Sequence, residues 1–525
     1  MEMTELIDRE LVGHVKLCAA LLTFALLLAD LLLHRVGRSR LLRRLRDVLL
    51  AAAGLAAALG WWELGRFQFE SDRPSLRWVN FTDSFHYYMG PKYFPELGYT
   101  RLYECAAAAE LELGDGAKVA RRTYRDLTRN EPIAGPTLLR QAQPCRERFE
   151  PERWQRFVND IDFFRHKVAR WEITMQDWGY NASPAWNLGG SLVAGGDPVS
   201  EARIGLLTLL DVPCLLAMWG VVAWAFGWRT ACVALVFWGT NPWSGYNWTG
   251  GSILRQEWLV ASVIGVCLLR QRKLVAAGAT LTYAALLTIF PGFLAAGVGL
   301  SAIANGWHER RLALAPAHRR LLLGALLALA LVVPAATLRA GGVGAWRDFV
   351  TNSRLDSGPG PNNMGLPTLL SYDGDTFRMR GFDPDARPFQ AWSEARRQRL
   401  ADRLPWLLLL DGGLLVLVLG AARRQPDWVA AILGLGFVVF LFQLTNYYYV
   451  LLLPFALLWP RYRSIGVAAI AAVLAARWLQ ERWVDSEEFF TRSSAIAVLL
   501  VAFATAVVRF ARIPREADPA QPARV

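Results

Sequence analysis

Charged residues are scarce in this sequence. Only 19% of the residues are Asp, Glu, Lys or Arg, while 54% are hydrophobic. An ordinary soluble domain has about a quarter charged residues. The 22 Trp residues point the same way, because Trp concentrates where acyl chains meet water. The composition therefore argues against a soluble protein and predicts a chain embedded in a membrane.

The common motifs for nucleotides and metals are also missing. The chain contains no phosphate-binding Gly-Lys-Ser loop, no His-Glu-x-x-His and no dinucleotide fingerprint. We find no internal repeat, although secondary transporters are commonly built from two related halves. The sequence predicts no metal site or certain cofactor, and it leaves a role for a divalent metal open.

Cysteine is rare as well, with six residues in the chain. Four of them lie singly in apolar runs, where a small buried thiol is the expected role. The other two, Cys105 and Cys145, fall in one long polar segment. They can form a disulfide if that segment faces an oxidising compartment, and otherwise they stay free thiols.

Apolar runs of about 20 residues, long enough to span a bilayer, recur along the chain. We predict an all-α polytopic membrane protein of about 13 transmembrane helices, with a large, mainly helical extracytoplasmic loop after the second span. The predicted spans are 11–33, 48–64, 204–226, 230–246, 253–269, 274–288, 291–305, 321–338, 404–421, 428–445, 447–459, 465–479 and 493–510.

Six segments follow from these runs. They are 1–64, with two spans and a basic cytoplasmic loop; 65–202, the large extracytoplasmic loop domain; 203–338, with spans 3–8; 339–403, a second extracytoplasmic loop; 404–511, with the C-terminal spans; and 512–525, a cytoplasmic tail.

The net charge of +12 comes largely from basic blocks between apolar runs. Short cytoplasmic loops retain positive charge, and alternating the spans puts these blocks on one side and both long loops on the other. We see no basic face interleaved with stacking aromatics, so a nucleic-acid partner is not expected. The blocks include Arg35–Arg46, Arg229, Arg270–Lys273, Arg310–Arg320, Arg423/Arg424, Arg461/Arg463 and Arg512/Arg515.

Four ionisable residues lie in the outer parts of predicted spans: Asp211, Arg255, Glu257 and Asp411. Charges within a membrane usually face a bundle interior or a polar cavity. They predict a cavity that opens outward beneath the large loop. Structural ion pairs, such as Asp211 with Arg255, are the alternative.

The most informative motif follows the second span, at residues 83–90. A carboxylate just outside the membrane suits a general base for an incoming hydroxyl, although Asp83 could instead cap a helix beginning at Ser84. His86 could share the acid–base work or hold a metal, or it could be a solvated loop histidine.

This motif, Asp-x-Phe-x-Tyr-Tyr-x-Gly followed by Leu102-Tyr103, resembles the first-loop signature of the bacterial polyprenol-phosphate-mannose-dependent mannosyltransferases of the GT-C superfamily. Thr288-Ile289-Phe290-Pro291 stands where that family often has Lys-Pro, and Tyr447 stands where a His is common. Similar segments follow in the family's order at residues 179–184, 249–252, 268–272, 362–366 and 446–449.

The resemblance implies a GT-C-like fold and transfer of a hexose or pentose from a polyprenyl-phosphate donor. Asp83 would be the base, with the active site on the outer face of a plasma (bacterial inner) membrane. Membrane lipids and the donor would be the partners, and the sequence does not define an oligomer. The implied substrate-binding residues are His86, Tyr87, Tyr88, Arg255, Arg339, Arg354, Asn363 and Tyr447, with the three arginines as candidates for the donor phosphate.

Two other interpretations remain open. The first is a transporter or flippase of a lipid-linked glycan, and the second is a non-catalytic GT-C-like protein. An O-antigen ligase or polymerase is disfavoured because its large outer loop generally lies late in the chain, whereas here the largest loop comes early.

Overall fold

The computed structural model describes residues 9–33, 39–67, 69, 76–142, 144–196, 198–310, 315–355, 357–374, 389–423, 425–483 and 486–511. Within these residues the protein is mostly helical, with a bundle of apolar helices and a separate folded domain between the second and third long helices of the bundle. The predicted tail at 512–525 lies outside the described residues.

Six helices in the described part of the chain are long and apolar enough to cross a membrane. Their outward faces carry many exposed large apolar side chains, such as Leu331 and Leu408, as lipid-facing helices require. The prediction of a helical, membrane-embedded protein is confirmed, with six helices that meet the requirements of a span in length and composition. The six are Arg9–Leu32, Glu201–Phe226, Pro316–Arg339, Leu404–Ala422, Arg463–Arg482 and Glu487–Phe510.

The N-terminal part of the bundle consists of α1 (Arg9–Leu32) and α2 (Arg40–Trp61). They pack on each other and on a later helix, α13 (Trp228–Thr240). Glycine permits the closest approach to α2, because a Cβ at Gly239 of α13 would lie 2.3 Å from the carbonyl oxygen of Ala57. Ser39 caps α2 by accepting the backbone N–H of Leu42.

The loop domain is built around its own apolar core, in which residues from most of its helices are buried. Helix α8 shows why the sequence folds this way: Trp154, Phe157, Ile161 and Phe164 recur at helical spacing, and all four are buried. The elements are α3 (Phe81–Lys92), α4 (Phe94–Leu97), α5 (Leu102–Glu112), α6 (Gly116–Arg121), β1 (Thr123–Asp126), β2 (Glu131–Ala134), α7 (Gly135–Ala142), α8 (Pro151–Lys167), α9 (Trp171–Thr174), α10 (Pro184–Ala194) and α11 (Glu201–Thr208).

Two links close this domain, one formed by hydrogen bonds and one covalent. Strands β1 and β2 form an antiparallel hairpin in which Thr123 faces Ala134 and Asp126 faces Glu131. A disulfide joins Cys105 on α5 to Cys145, with 5.4 Å between their Cα atoms. The disulfide ties the segment that precedes α8 to the core.

The rest of the bundle follows the loop domain. Its tightest helix crossing is that of α16 (Leu274–Leu287) with α18 (Pro316–Arg339). A Cβ at Gly324 would lie 1.9 Å from the carbonyl oxygen of Val275. Small residues allow such contact between membrane helices. The elements are α12 (Asp211–Phe226), α13 (Trp228–Thr240), α14 (Tyr246–Thr249), α15 (Glu257–Arg270), α16 (Leu274–Leu287), α17 (Gly292–Glu309), α18 (Pro316–Arg339), α19 (Gly344–Leu355), β3 (Asn363–Met364), α20 (Leu366–Ser371), α21 (Phe389–Asp402), α22 (Leu404–Ala422), α23 (Asp427–Gly434), α24 (Gly436–Leu441), β4 (Leu444–Thr445), α25 (Leu453–Ala456), α26 (Arg463–Arg482) and α27 (Glu487–Phe510).

The predicted span at residues 447–459 does not form a long helix. It folds as a 3₁₀ turn, Asn446–Leu452, followed by the four-residue α25. The chain is held there by β4, which pairs with β3, and by the buried amide of Asn446, which donates to the carbonyl of Trp243 at 2.7 Å. Pro454 also lacks the N–H that a continuing helix needs. This segment is a buried connector.

The predicted cytoplasmic connections meet at one end of the bundle. Asp30 accepts from both Arg46 at 3.1 Å and Arg463 at 3.2 Å, and Asp47 pairs with Arg229 at 2.6 Å. Contacts of this kind put connections that are far apart in sequence on the same side, as their shared basic character predicts. Of the basic blocks, Arg35, Arg38, Arg311, Arg424, Arg512 and Arg515 lie outside the described residues.

Candidate functional site

The first turn of α3 presents Asp83 at the boundary between the loop domain and the bundle. The helix begins at Phe81, and Asn80 is its N-cap, because its side-chain oxygen accepts the backbone N–H of Asp83 at 3.1 Å. The alternative that Asp83 caps a helix starting at Ser84 is therefore wrong. With the capping role filled by Asn80, the Asp83 carboxylate is available to the site.

Gly251 connects the start of α3 to the loop that carries Arg255. Its carbonyl accepts the backbone N–H of Asn80 at 2.8 Å. Gly251 has a φ of +74°, and a Cβ there would lie 2.6 Å from the carbonyl oxygen of Trp78. Only glycine combines this left-handed conformation with such close packing.

Asp211 holds the backbone of Arg255 in place. Its carboxylate accepts the backbone N–H of Arg255 and that of Gln256, each at 3.1 Å, just before α15 begins. The four first N–H groups of a helix have no intrahelical partner, and a buried carboxylate satisfies two donors here. The predicted alternative of an Asp211–Arg255 ion pair is replaced by this backbone contact, which leaves the guanidinium for another partner.

That partner is Asp83. Nη2 of Arg255 lies 3.4 Å from Oδ2 of Asp83, and the two side chains are 13% and 24% exposed. The distance exceeds the 2.7–2.9 Å typical of a charge-assisted hydrogen bond, so the pair is loose. The guanidinium also lies over two aromatic rings, 5.3 Å from the centroid of Tyr87 and 4.8 Å from that of Tyr447.

Further side chains fix these rings. The hydroxyl of Tyr87 donates to Oδ1 of Asn181 at 3.2 Å, and its ring meets Trp186 edge-on at 5.0 Å. On the other side, Tyr447 packs against Tyr448 at 4.5 Å, which in turn contacts Phe290 at 5.0 Å. We call Asp83, Tyr87, Arg255 and Tyr447 the central cluster. It joins three chain segments, namely α3, the loop before α15 and the segment after β4, and Phe290 borders it through Tyr448.

Burial controls the protonation of the Tyr87 hydroxyl in this cluster. The pKa of Tyr87 is raised chiefly because burial disfavours the phenolate, and the positive charge of Arg255 only partly opposes this. Tyr87 is therefore a neutral hydrogen-bond donor throughout the physiological range.

Two of the predicted binding residues on α3 lie in the core of the loop domain. His86 is 3% exposed, and its Nε2 lies 2.8 Å from the hydroxyl of Tyr103. Its pKa is lowered because burial disfavours the imidazolium more than Asp177 and Asp83 favour it. Tyr88 is fully buried and receives a hydrogen bond from Lys92 at 3.1 Å. The expectation of a solvated histidine is wrong, and neither residue belongs to the central cluster.

The other predicted binding residues are dispersed. Arg339 ends α18, and its Nε donates to the hydroxyl of Ser191 at 2.7 Å, while Arg354 is exposed near the end of α19. Asn363 is buried in β3 and donates to the carbonyl of Gly358 at 3.2 Å. Through the β3–β4 pairing it faces Thr445, so it shapes the segment that leads to Tyr447.

The other two predicted intramembrane charges, Glu257 and Asp411, are not members of the central cluster. Glu257 accepts a hydrogen bond from Tyr283 on α16. Asp411 lies on α22, whose main packing partners are α17 and α27. Of the four charges, Asp211 and Arg255 are the two that build the site.

Among the described residues, one group of side chains has the composition of a metal site, namely Glu104, Cys105 and Cys145. The disulfide joins both sulfur atoms, which removes the thiolates that a metal would need. This group therefore does not offer a metal centre.

Sequence reasoning missed the residues that support the cluster. Gln256 and Trp186 carry no local signal that separates them from structural residues. The pair Gly250-Gly251 was a signal, since adjacent glycines often mark a turn or a close backbone contact. Asn181 and Tyr448 lay within segments that resemble the GT-C mannosyltransferases, without an assigned role.

Comparison with models of protein families, with curated proteins and with solved structures finds no match to this chain.

Proposed function

We propose that this protein is a membrane glycosyltransferase that transfers a sugar from a polyprenyl-phosphate donor to an acceptor hydroxyl. The contact of Asp83 with Arg255, framed by Tyr87 and Tyr447, carries the proposal. A carboxylate beside a guanidinium provides a base for the hydroxyl and positive charge for a leaving phosphate. The resemblance to the GT-C mannosyltransferases supports the same role for Asp83.

The reaction follows from these two groups. Asp83 accepts the proton of the acceptor hydroxyl while the oxygen attacks the anomeric carbon of the sugar. The bond from that carbon to the phosphate oxygen breaks, and its electron pair leaves with the polyprenyl phosphate. Arg255 stabilises the negative charge of the phosphate, because a guanidinium offers a planar, bidentate contact to phosphate oxygens.

The loose ion pair fits this sequence of events. A donor phosphate can draw the guanidinium away from Asp83, since 3.4 Å already separates Nη2 from the carboxylate oxygen. The released carboxylate is then able to accept a proton. Tyr87, which stays protonated, can donate a hydrogen bond to the sugar or the phosphate.

The proposal includes a GT-C-like arrangement of spans and a position in a plasma (bacterial inner) membrane, with the central cluster on the extracytoplasmic side. The six long apolar helices and the contacts that unite the basic connections at one end support it. The disulfide in the loop domain fits an oxidising, extracytoplasmic location.

Donor turnover tests the proposal. Purified protein in nanodiscs is incubated with radiolabelled polyprenyl-phosphate hexoses and pentoses, and sugar release or transfer is measured. We expect turnover by the native protein and a loss of about 10²–10⁴-fold in Asp83→Asn. Asp348→Asn is the matched control, because Asp348 is an exposed aspartate on α19, and it should keep native activity.

Two results would contradict the proposal. Equal activity in the native protein and Asp83→Asn would remove Asp83 from the mechanism. No turnover of any donor, together with movement of the lipid-linked sugar across the bilayer, would favour a transporter.

A further inference from the structure

A second charged cleft, of about 340 Å³, lies at the opposite end of α3 from Asp83. Its charged lining residues are Lys92, Glu96, Arg153, Arg156 and Arg339. Asp83 and Lys92 are nine positions apart on the helix, which corresponds to about 14 Å along its axis. The cleft is therefore distinct from the central cluster.

Its charge is strongly positive, with four cationic side chains and one carboxylate, Glu96, in the lining. Two of the cations have close partners: Lys92 contacts the buried Asp160 at 2.7 Å, and Arg153 pairs with Glu96. These pairs make the wall of the cleft rigid and leave the other two arginines as its source of net charge.

Arg156 and Arg339 are the cations without a strong ion pair. Arg156 lies 3.8 Å from Glu152, a carboxylate whose side chain is 93% exposed, so the pair is weak. Arg339 donates to the neutral hydroxyl of Ser191, and within the described ranges no carboxylate lies at ion-pair distance from it. Both guanidinium groups therefore carry positive charge that no residue in the described part of the chain strongly neutralises.

The position of the cleft indicates which kind of ligand can reach it. Arg339 is the last residue of the span Pro316–Arg339, so it lies where the bilayer ends, and Arg156 is on the loop domain above it. Gly196, with a φ of +90°, borders the opening, and a Cβ there would meet nothing within 4 Å. The cleft is thus open to a group at the membrane surface.

We propose that this cleft binds a phosphate group, of a lipid headgroup or of a soluble phosphate compound, through Arg156 and Arg339. Guanidinium groups match phosphate oxygens in geometry and charge. The loop domain and a membrane span each contribute one arginine, so a bound phosphate bridges the two parts of the molecule. This site does not depend on the proposed transferase reaction.

Binding of two phosphate probes tests the proposal. Inorganic pyrophosphate is titrated by calorimetry into the purified protein in phosphatidylcholine nanodiscs, and short-chain phosphatidylglycerol is titrated into the protein in neutral detergent. We expect saturable binding of at least one probe, weakened about tenfold or more (1.4 kcal/mol per factor of ten) in Arg156→Gln/Arg339→Gln.

The matched control is Arg140→Gln/Arg397→Gln, which removes the same charge from two exposed arginines outside the cleft and should bind as the native protein does. Pyrophosphate binding that requires both cleft arginines identifies a soluble phosphate ligand, while binding of phosphatidylglycerol alone identifies a headgroup. Asp83→Asn should keep full binding, which separates this site from catalysis.

No saturable binding of either probe to the native protein would overturn the proposal, as would equal binding by the cleft variant and its control. If the double variant fails to elute as a single folded species, Arg156→Gln alone decides. Its side chain is 50% exposed, so the fold should tolerate the change, and unaltered binding in this variant would also contradict the proposal.

Discussion

Some of the residues predicted to bind substrate belong to the central cluster, whereas others of the same type lie elsewhere in the structure. Arg255 and Arg354 are both arginines predicted to bind the donor phosphate. The structure brings Arg255 to Asp83 and leaves Arg354 exposed on α19. Burial and contact, which sequence does not show, separate them.

This difference predicts opposite results for matched substitutions. Arg255→Gln removes the positive charge beside Asp83, and we expect a loss of about 10²-fold or more in donor turnover. Arg354→Gln removes the same charge from an exposed position, and turnover should stay near the native value. Both variants are assayed with the same donor at saturating and limiting concentrations. Similar losses in the two variants would show that general surface charge, not the central cluster, governs turnover.

His86 makes stability depend on pH. Burial lowers its pKa in the folded protein, while in the unfolded chain it is near 6.5. As the pH falls below about 6.5, the unfolded chain gains a proton that folded His86 resists, so stability decreases with a slope of up to about 1.4 kcal/mol per pH unit. Thermal unfolding of His86→Gln between about pH 5 and 7.5 should show a shallower pH dependence.

His166→Gln is the control, because the side chain of His166 is 64% exposed. It should keep the native pH dependence of unfolding. An unchanged slope in His86→Gln would mean that other groups cause the acid destabilisation.

At the scale of elements, the start of α3 and the loop before α15 form one unit through Gly251. Gly251→Ala would place a Cβ 2.6 Å from the Trp78 carbonyl oxygen at a φ of +74°. We expect a destabilisation of about 1–3 kcal/mol and a loss of turnover, because Asp83 and Arg255 would shift apart. Gly299→Ala on α17, where a Cβ meets nothing within 4 Å, should leave both properties near native. Equal thermal stability of the two variants would contradict the close packing of Gly251 against the Trp78 carbonyl.

The disulfide is the second element-scale feature. It closes a loop with a sequence separation of 40 residues, for which chain entropy gives a stabilisation of about 4 kcal/mol. Cys105→Ser/Cys145→Ser should therefore unfold the loop domain at a lower temperature, as measured by Trp fluorescence. Cys18→Ser is the control, since Cys18 is an exposed free thiol on α1. An unchanged melting temperature in the double variant would show that the core alone sets the domain's stability.

For the whole molecule, the contacts among Asp30, Arg46 and Arg463 define one end, and the loop domain defines the other. We expect a cysteine at Glu152, in the loop domain, to react with an impermeant maleimide in intact cells. A cysteine at Lys273, in a basic connection, should react only after permeabilisation. Both substitutions are made in a background that lacks the four free cysteines. The reverse pattern would place the central cluster on the cytoplasmic side.

The sequence by itself determined the membrane-embedded character, the helical class and the position of the long polar domain. It also predicted Asp83, Tyr87, Arg255 and Tyr447 as site residues, together with five others that do not join the central cluster. These features depend on hydrophobic length, charge distribution and local motifs, which are readable along the chain. The span at 447–459 could not be judged this way, because its apolar residues are buried by packing inside the bundle rather than by lipid, and hydropathy does not distinguish the two.

Only the tertiary structure decided which candidates meet. Asp83 reaches Arg255 because Asn80 takes the capping role, Gly251 joins the two segments, and Asp211 binds the backbone before α15. The same helix carries His86 into the core and Lys92 to a separate cleft, since successive residues of a helix point in different directions. Such contacts depend on distances between segments far apart in sequence, and these distances arise only when the whole chain packs.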